Sequence, residues 1–138
     1  MVDIYMKYEG DLRCGAKHGP SGSTLATDAP VDNQGKGEAF SPTDLVATAL
    51  GTCMLTTMGI AARRKGWRID GIELHVQKEM TKEPPRRIRR LGARFTVPGG
   101  VAQALDASAK QDLEHTARTC PVALSLHDNV QVDVTFDW

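Results

Sequence analysis

The chain has 138 residues, the size of one ordinary domain. Seventeen basic and seventeen acidic side chains cancel, which removes the usual electrostatic case for nucleic acid or an anionic membrane as partner. Three cysteines are too few, and too odd in number, for a disulfide scaffold. A reducing cytoplasm is therefore expected, and "MVDIYMKYEG", with charges at Asp3 and Lys7 and no apolar core, does not read as a secretory signal.

The first forty residues read as short strands and turns. Val2, Ile4 and Met6 alternate onto one face, "EGD" at 9–11 offers a hairpin turn before "LRCGAK", "GPSGS" gives a second turn, and "TLAT" a further short strand. The stretch "DAPVDNQGKGEAF", 28–40, mixes proline, asparagine, glycine and charge and is expected to be a loop of a length more often functional than idle.

A long helix is expected to begin at Ser41. A serine hydroxyl can accept from a first-turn N–H, Pro42 suits the first helical position, and Asp44 complements the helix dipole. Arg63, Arg64 and Lys65 load the last turn with the opposite charge, and Gly66 ends it. Leu45 to Ala62 carries no charge, a run long enough for a membrane span. Threonines at 48, 52, 56 and 57, two glycines and many alanines make it small rather than greasy, so a buried central helix is the expectation.

Downstream, Ile72, Leu74 and Val76 alternate against Glu73, His75 and Gln77, and "TKEPPRR" turns the chain. Leu91, Ala93, Phe95 and Val97 then continue the alternation, predicting two antiparallel strands of one sheet. "VAQALDASAKQDLEHTART" reads as one amphipathic helix with Val101, Ala102, Leu105, Ala109 and Leu113 inward. "CPVALSLHDN" reads as a short helix and turn, and "VQVDVTFDW" as a closing strand. The expected fold class is α+β, a single domain over residues 1–138 with antiparallel sheet around a buried helix. Three or four half-apolar strands and one amphipathic helix do not cover a helix that is apolar all round. A second copy would, so an obligate homodimer is expected.

Cys53 sits about three turns into its helix, too deep for the dipole to stabilise a thiolate, so reactivity there requires a cation from elsewhere, most naturally an arginine. Free cysteine is also a common packing residue. Cys120 differs, because Thr119 can cap "CPVALSL" and leave the sulfur beside unpaired N–H donors.

"SPTDLVATALGTCM" followed by "TCPVALSLHDNVQVDVTF" resembles the OsmC/Ohr family of osmotically inducible and organic-hydroperoxide-resistance proteins, and the likeness covers nearly the whole chain. The resemblance implies an intertwined homodimer with antiparallel sheets wrapped around long central helices, and thiol-dependent reduction of organic hydroperoxides. By position, Cys53 would be the peroxidatic thiol and Cys120 the resolving one, joined in an intramolecular disulfide that an external thiol, such as a dithiol of a lipoyl protein, reduces. No other cofactor is implied. The family's glutamate ten residues before the peroxidatic cysteine falls on Thr43, leaving Asp44 and Glu38 as candidate carboxylates. Arg13 is the candidate cation, with Lys17 and His18 nearby. Two other classes stay open: a binding protein for small hydrophobic ligands with weak or no turnover, and a thiol redox sensor.

Other motifs are weaker. "RRIRR" at 86–90 reads as a solvated hairpin end rather than a nucleic-acid patch. His18, His75, His115 and His127 lack zinc spacing relative to the cysteines, and Cys14 reads as structural. Met54 and Met58 are expected in the core, adaptable to a lipid-like substrate where they line a pocket.

Overall fold

The computed structural model describes all 138 residues, Met1–Trp138. They form two compact units, Met1–Val46 and Ala47–Trp138, with one helix running from the first into the second.

In the first unit, β1 (Ile4–Gly10), β2 (Arg13–His18) and β3 (Thr24–Thr27) make an antiparallel sheet in the order β1-β2-β3. The β1–β2 turn falls one residue later than the sequence suggests. Asp11 and Leu12 occupy its centre with φ of 49° and 61°, and Gly10 before them takes φ 93°. A leucine in left-handed backbone is unusual. Its N–H lies 3.4 Å from the Tyr8 hydroxyl, and the strand register shifts between Tyr8 and Gly10. The expected loop over 28–40 is an ordered one. A 3-10 turn spans Val31–Asn33, the Asp28 N–H donates to Phe40 O at 3.2 Å across the loop's ends, and Gly37 N–H donates to Ala29 O at 3.3 Å. Gly35 is required here: a Cβ would lie 1.7 Å from Ala29 O.

The long helix α1 spans Pro42–Lys65. Its start is a reciprocal cap, with Ser41 N–H donating to Asp44 Oδ2 at 2.8 Å and Asp44 N–H donating to Ser41 Oγ at 3.1 Å. Gly66, at φ 73°, ends it as expected, and Trp67 N–H folds back to Ala62 O at 2.9 Å. On length and composition alone this helix could cross a membrane. Within the fold, Ala47, Leu50, Gly51, Met54, Met58 and Ala62 are buried. Burial on every side is not what a single chain provides: Thr48, Ala49, Thr52, Thr56 and Ile60 form an exposed stripe at helical spacing.

In the second unit, β4 (Glu73–Met80) and β5 (Ile88–Thr96) pair antiparallel, as the alternation predicts. Gly51 of α1 sits against this sheet; a Cβ there would lie 3.0 Å from Val76 Cγ2 and 3.3 Å from Leu74 Cδ2, so the absent side chain sets how closely helix and strand approach. The last strand, β6 (Gln131–Asp137), pairs with β5 in parallel, where alternation suggested only antiparallel sheet. The helices between β5 and β6 supply the crossover that a parallel pair needs. The expected single helix over 101–119 is two, α2 (Gly99–Ala104) and α3 (Ala107–Arg118), because Asp106 breaks off the first and caps the second by accepting from Ala109 N–H at 2.8 Å. Val101 and Ala102 are accordingly only half-buried, whereas Leu105, Ala109, Leu113 and Ala117 are buried.

Phe95, fully buried on β5, stacks on Phe136 of β6 at 4.2 Å between ring centroids, and Phe136 stacks on Trp138 at 5.5 Å. Trp138 Nε1 donates to Glu114 Oε1 of α3 at 2.8 Å, with Lys110 over the same indole. The basic run at 86–90 goes into local structure: Arg87 Nη1 donates to Asn129 O at 2.9 Å, Arg89 pairs with Glu79 at 3.0 Å, and Arg90 with Asp133. Arg90 holds the Asp133 carboxyl below its usual range.

Packing should outweigh capping on α3. Leu113→Ala is expected to cost about 2–5 kcal/mol of unfolding free energy, and Asp106→Ala about 1 kcal/mol. Both are read from the urea midpoint, and an equal or reversed order would show that α3 is not held chiefly by its buried face.

Candidate functional site

Cys53 and Cys120 are brought together. Cys53 lies on the stretch of α1 belonging to the second unit, half-buried and reduced; its carbonyl accepts from Thr57 Oγ1 at 2.9 Å. Cys120 is 1% exposed, at the junction where α3 ends and α4 (Pro121–Ser125) begins. Thr119 closes α3, its hydroxyl donating to His115 O at 2.8 Å, so the expected cap of α4 is displaced by one residue. Cys120 takes that place, and its Sγ accepts from Ala123 N–H at 3.5 Å. Pro121 follows at the first helical position, where no donor is lost.

The two side chains lie close enough for Cys53 to act on the titration of Cys120. Burial pushes the Cys120 thiol above its ordinary range, and the adjacent Cys53 sulfur pushes the same way. The Ala123 and Val122 N–H groups at the helix start work against both and lose. Cys120 therefore keeps its proton at neutral pH. A buried thiol that holds its proton, beside a half-buried one, is an arrangement in which one sulfur can wait while the other reacts.

The remaining candidate residues lie in the first unit. Arg13, at the start of β2, pairs with Glu38 through Nη2, so the structure joins these two. The same Nη2 lies 3.6 Å from Asp28 Oδ2. Asp28 was not singled out in the sequence, where it reads as one more polar loop residue; its side chain is fully buried. Asp44, the other candidate carboxylate, is bonded to the Ser41 N–H in the helix cap, and the Thr43 hydroxyl lies 3.1 Å from Ser41 Oγ. Neither Lys17 nor His18 joins Arg13. Lys17 is an exposed residue of β2, and His18 Nδ1 lies 2.6 Å from Ser21 Oγ within its own turn. Cys14 is half-buried on β2, paired across the ladders with Tyr8 and Thr27.

A separate cavity of about 440 Å³ lies at the β4–β5 turn, lined by Glu79, Thr81, Lys82, Pro85, Arg87 and Arg89 among others. It contains neither cysteine, and its two best-placed arginines already have the partners described above.

A family model for the OsmC-like protein matches residues 35–135. Among curated proteins no relative matches the chain. Among solved structures, a Psychrobacter arcticus protein named for osmotic stress induction and detoxification response is 44% identical, with a TM-score of 0.90 over 99% of this chain and 96% of that one. An OsmC organic hydroperoxide resistance protein from Legionella pneumophila shares the fold at 14% identity and a TM-score of 0.77, over 100% of this chain and 97% of that one. An organic hydroperoxide resistance protein from Elizabethkingia anophelis does so at 13% and 0.76, over 99% and 95%. With the α+β architecture and the family match over most of its length, the chain belongs to the OsmC-like protein family.

Proposed function

We propose that the chain is a thiol-dependent peroxidase for organic hydroperoxides, with Cys53 as the attacking sulfur and Cys120 as the resolving one. The observation that carries this reading is the proximity of two free thiols, one half-buried on α1 and the other buried, proton-bearing and held at a helix start. The hydroperoxide resistance proteins sharing the fold support the substrate class.

The Cys53 thiolate attacks the terminal peroxide oxygen, the O–O bond breaks, and the alkoxide leaves and takes a proton to become the alcohol. Cys53 is now a sulfenic acid, oxidised by two electrons. The Cys120 sulfur attacks the Cys53 sulfur, the S–O bond breaks, and the sulfenic hydroxide departs as water with the proton that Cys120 had retained. An external dithiol of the lipoyl type then returns two electrons through a mixed disulfide and frees both thiols. Arg13, paired with the Glu38 and Asp28 carboxylates, is the proposed cation that favours the Cys53 thiolate; Glu38 is its proposed partner.

The working form is proposed to be a homodimer. Ile4, Met6 and Tyr8 share one face of β1, yet all three are between 55% and 71% exposed in the single chain. An apolar strand face left open to solvent calls for cover. The exposed stripe on α1 calls for the same. A binding role without turnover is favoured by one observation only: Thr43 offers Ser41 a hydroxyl where the family offers a carboxylate.

Cumene hydroperoxide added to reduced protein is expected to consume two thiols per chain, none in Cys53→Ser, and two again in Cys14→Ser. Unchanged thiol counts in the native chain would favour the binder. In Cys120→Ser the reaction is expected to stop at a sulfenic acid on Cys53, captured by dimedone and seen as a mass adduct, while that mutant turns over with dithiol at least tenfold more slowly. In sedimentation velocity the chain is expected at twice its monomer mass, and a charged residue at Met6 should shift it toward the monomer; a native monomer at micromolar concentration would remove the dimer from the proposal.

A further inference from the structure

Asp28 has no evident reason to be a carboxylate. It follows β3 directly, one residue beyond the Cys14–Thr27 pair at which the β2–β3 ladder ends, as Arg13 directly precedes Cys14 on β2. Its side chain is fully buried, and burying a charge is costly unless it is paired and hydrogen-bonded. Oδ2 accepts from the Glu38 N–H at 3.1 Å and stands 3.6 Å from Arg13 Nη2. Oδ1 has no partner, and neither does Arg13 Nε. One acceptor and one donor are thus left over, both buried, within a single cluster. An arginine fork presents Nε and Nη2 side by side, the spacing that meets the two oxygens of one carboxylate. The leftover atoms are those a two-point Arg13–Asp28 contact would use.

We infer that Asp28 is the positioning residue of Arg13: a buried anchor that holds the guanidinium from the β3 side while Glu38 holds it from the far end of the 28–40 loop. The same carboxylate ties the loop, because it accepts from the backbone of Glu38, the residue whose side chain completes the grip on Arg13. This rests on the reading of Arg13 as the cation that serves Cys53.

Charge and placement make opposite demands, which gives the test its sign. The cluster holds one cation and two carboxylates. If Asp28 acted only through its charge, removing that charge would favour an anionic sulfur and speed the reaction. If Asp28 places Arg13, removing it loosens the guanidinium and slows the reaction.

The experiment compares native protein with Asp28→Asn, Arg13→Ala and the double variant. It measures cumene hydroperoxide consumption under excess dithiol and the pH profile of Cys53 alkylation by iodoacetamide. Asp28→Asn is expected to slow consumption about tenfold and move the alkylation profile to higher pH by about one unit, the smaller end of what a displaced ion-pair partner does. The double variant should be no slower than Arg13→Ala alone, since Asp28 acts through Arg13. A faster Asp28→Asn, an unmoved profile, or a double variant much slower than Arg13→Ala would each overturn the inference. Arg13→Ala at the native rate would overturn the activating role of Arg13 and this inference with it; an impaired Arg13→Ala beside a native-like Asp28→Asn would sink the Asp28 inference alone. Should Asp28→Asn fail to fold, Arg13→Lys decides, because a lysine keeps the charge and lacks the fork. It should behave as Asp28→Asn is expected to, and a native rate in Arg13→Lys would refute the need for a two-sided grip.

Discussion

The chemistry proposed for this chain depends on one constraint: two sulfurs distant in sequence must meet in a setting that keeps one of them protonated. Three local choices enforce it. Gly51 lets α1 approach β4 without a side chain between, two residues before Cys53. Asp106 cuts the crossover into two helices and starts α3 on a fixed axis, with Leu113 and Ala117 inward. Pro121 then starts α4 and leaves Cys120 as its cap. Burial does the rest, since a sulfur 1% exposed has little to gain from ionising even at a helix start.

Much of this was legible in the chain itself, for reasons that are local. The cap at Ser41 and Asp44, the stop at Gly66, and the alternation of Leu74 and Val76 against Leu91, Ala93 and Phe95 depend on neighbours in sequence, and the structure keeps them. Pairing direction is not local: a two-residue alternation is identical in parallel and antiparallel ladders, so β6 gave no warning that it runs alongside β5. The break at Asp106 was hidden because apolar residues continue at helical spacing through it. Thr119 looked like the cap of α4 because a hydroxyl is the commoner acceptor, yet α3 claims it first.

The site divides in the same way. The cysteine pair was found through its resemblance to a family, since Cys53 by itself has the look of core filling. Arg13 and Glu38 were candidates by residue type, and the fold pairs them. Asp28 left no trace in the sequence, because an aspartate before Ala-Pro in a polar stretch is usually solvated. Only the closure of the loop, through Phe40 and Glu38 onto Asp28, buries it. Long-range closure of this kind is what residue-by-residue reading cannot supply, and it is where a buried charge most often signals a task.

A sulfur that caps a helix has a backbone witness. The Ala123 amide donates to the Cys120 sulfur, so whatever claims that sulfur, whether an oxidant, an alkylating reagent or a soft metal ion, alters the acceptor that this one amide feels. The Ala123 N–H resonance is therefore a native reporter of the state of that one sulfur, already in place without any label.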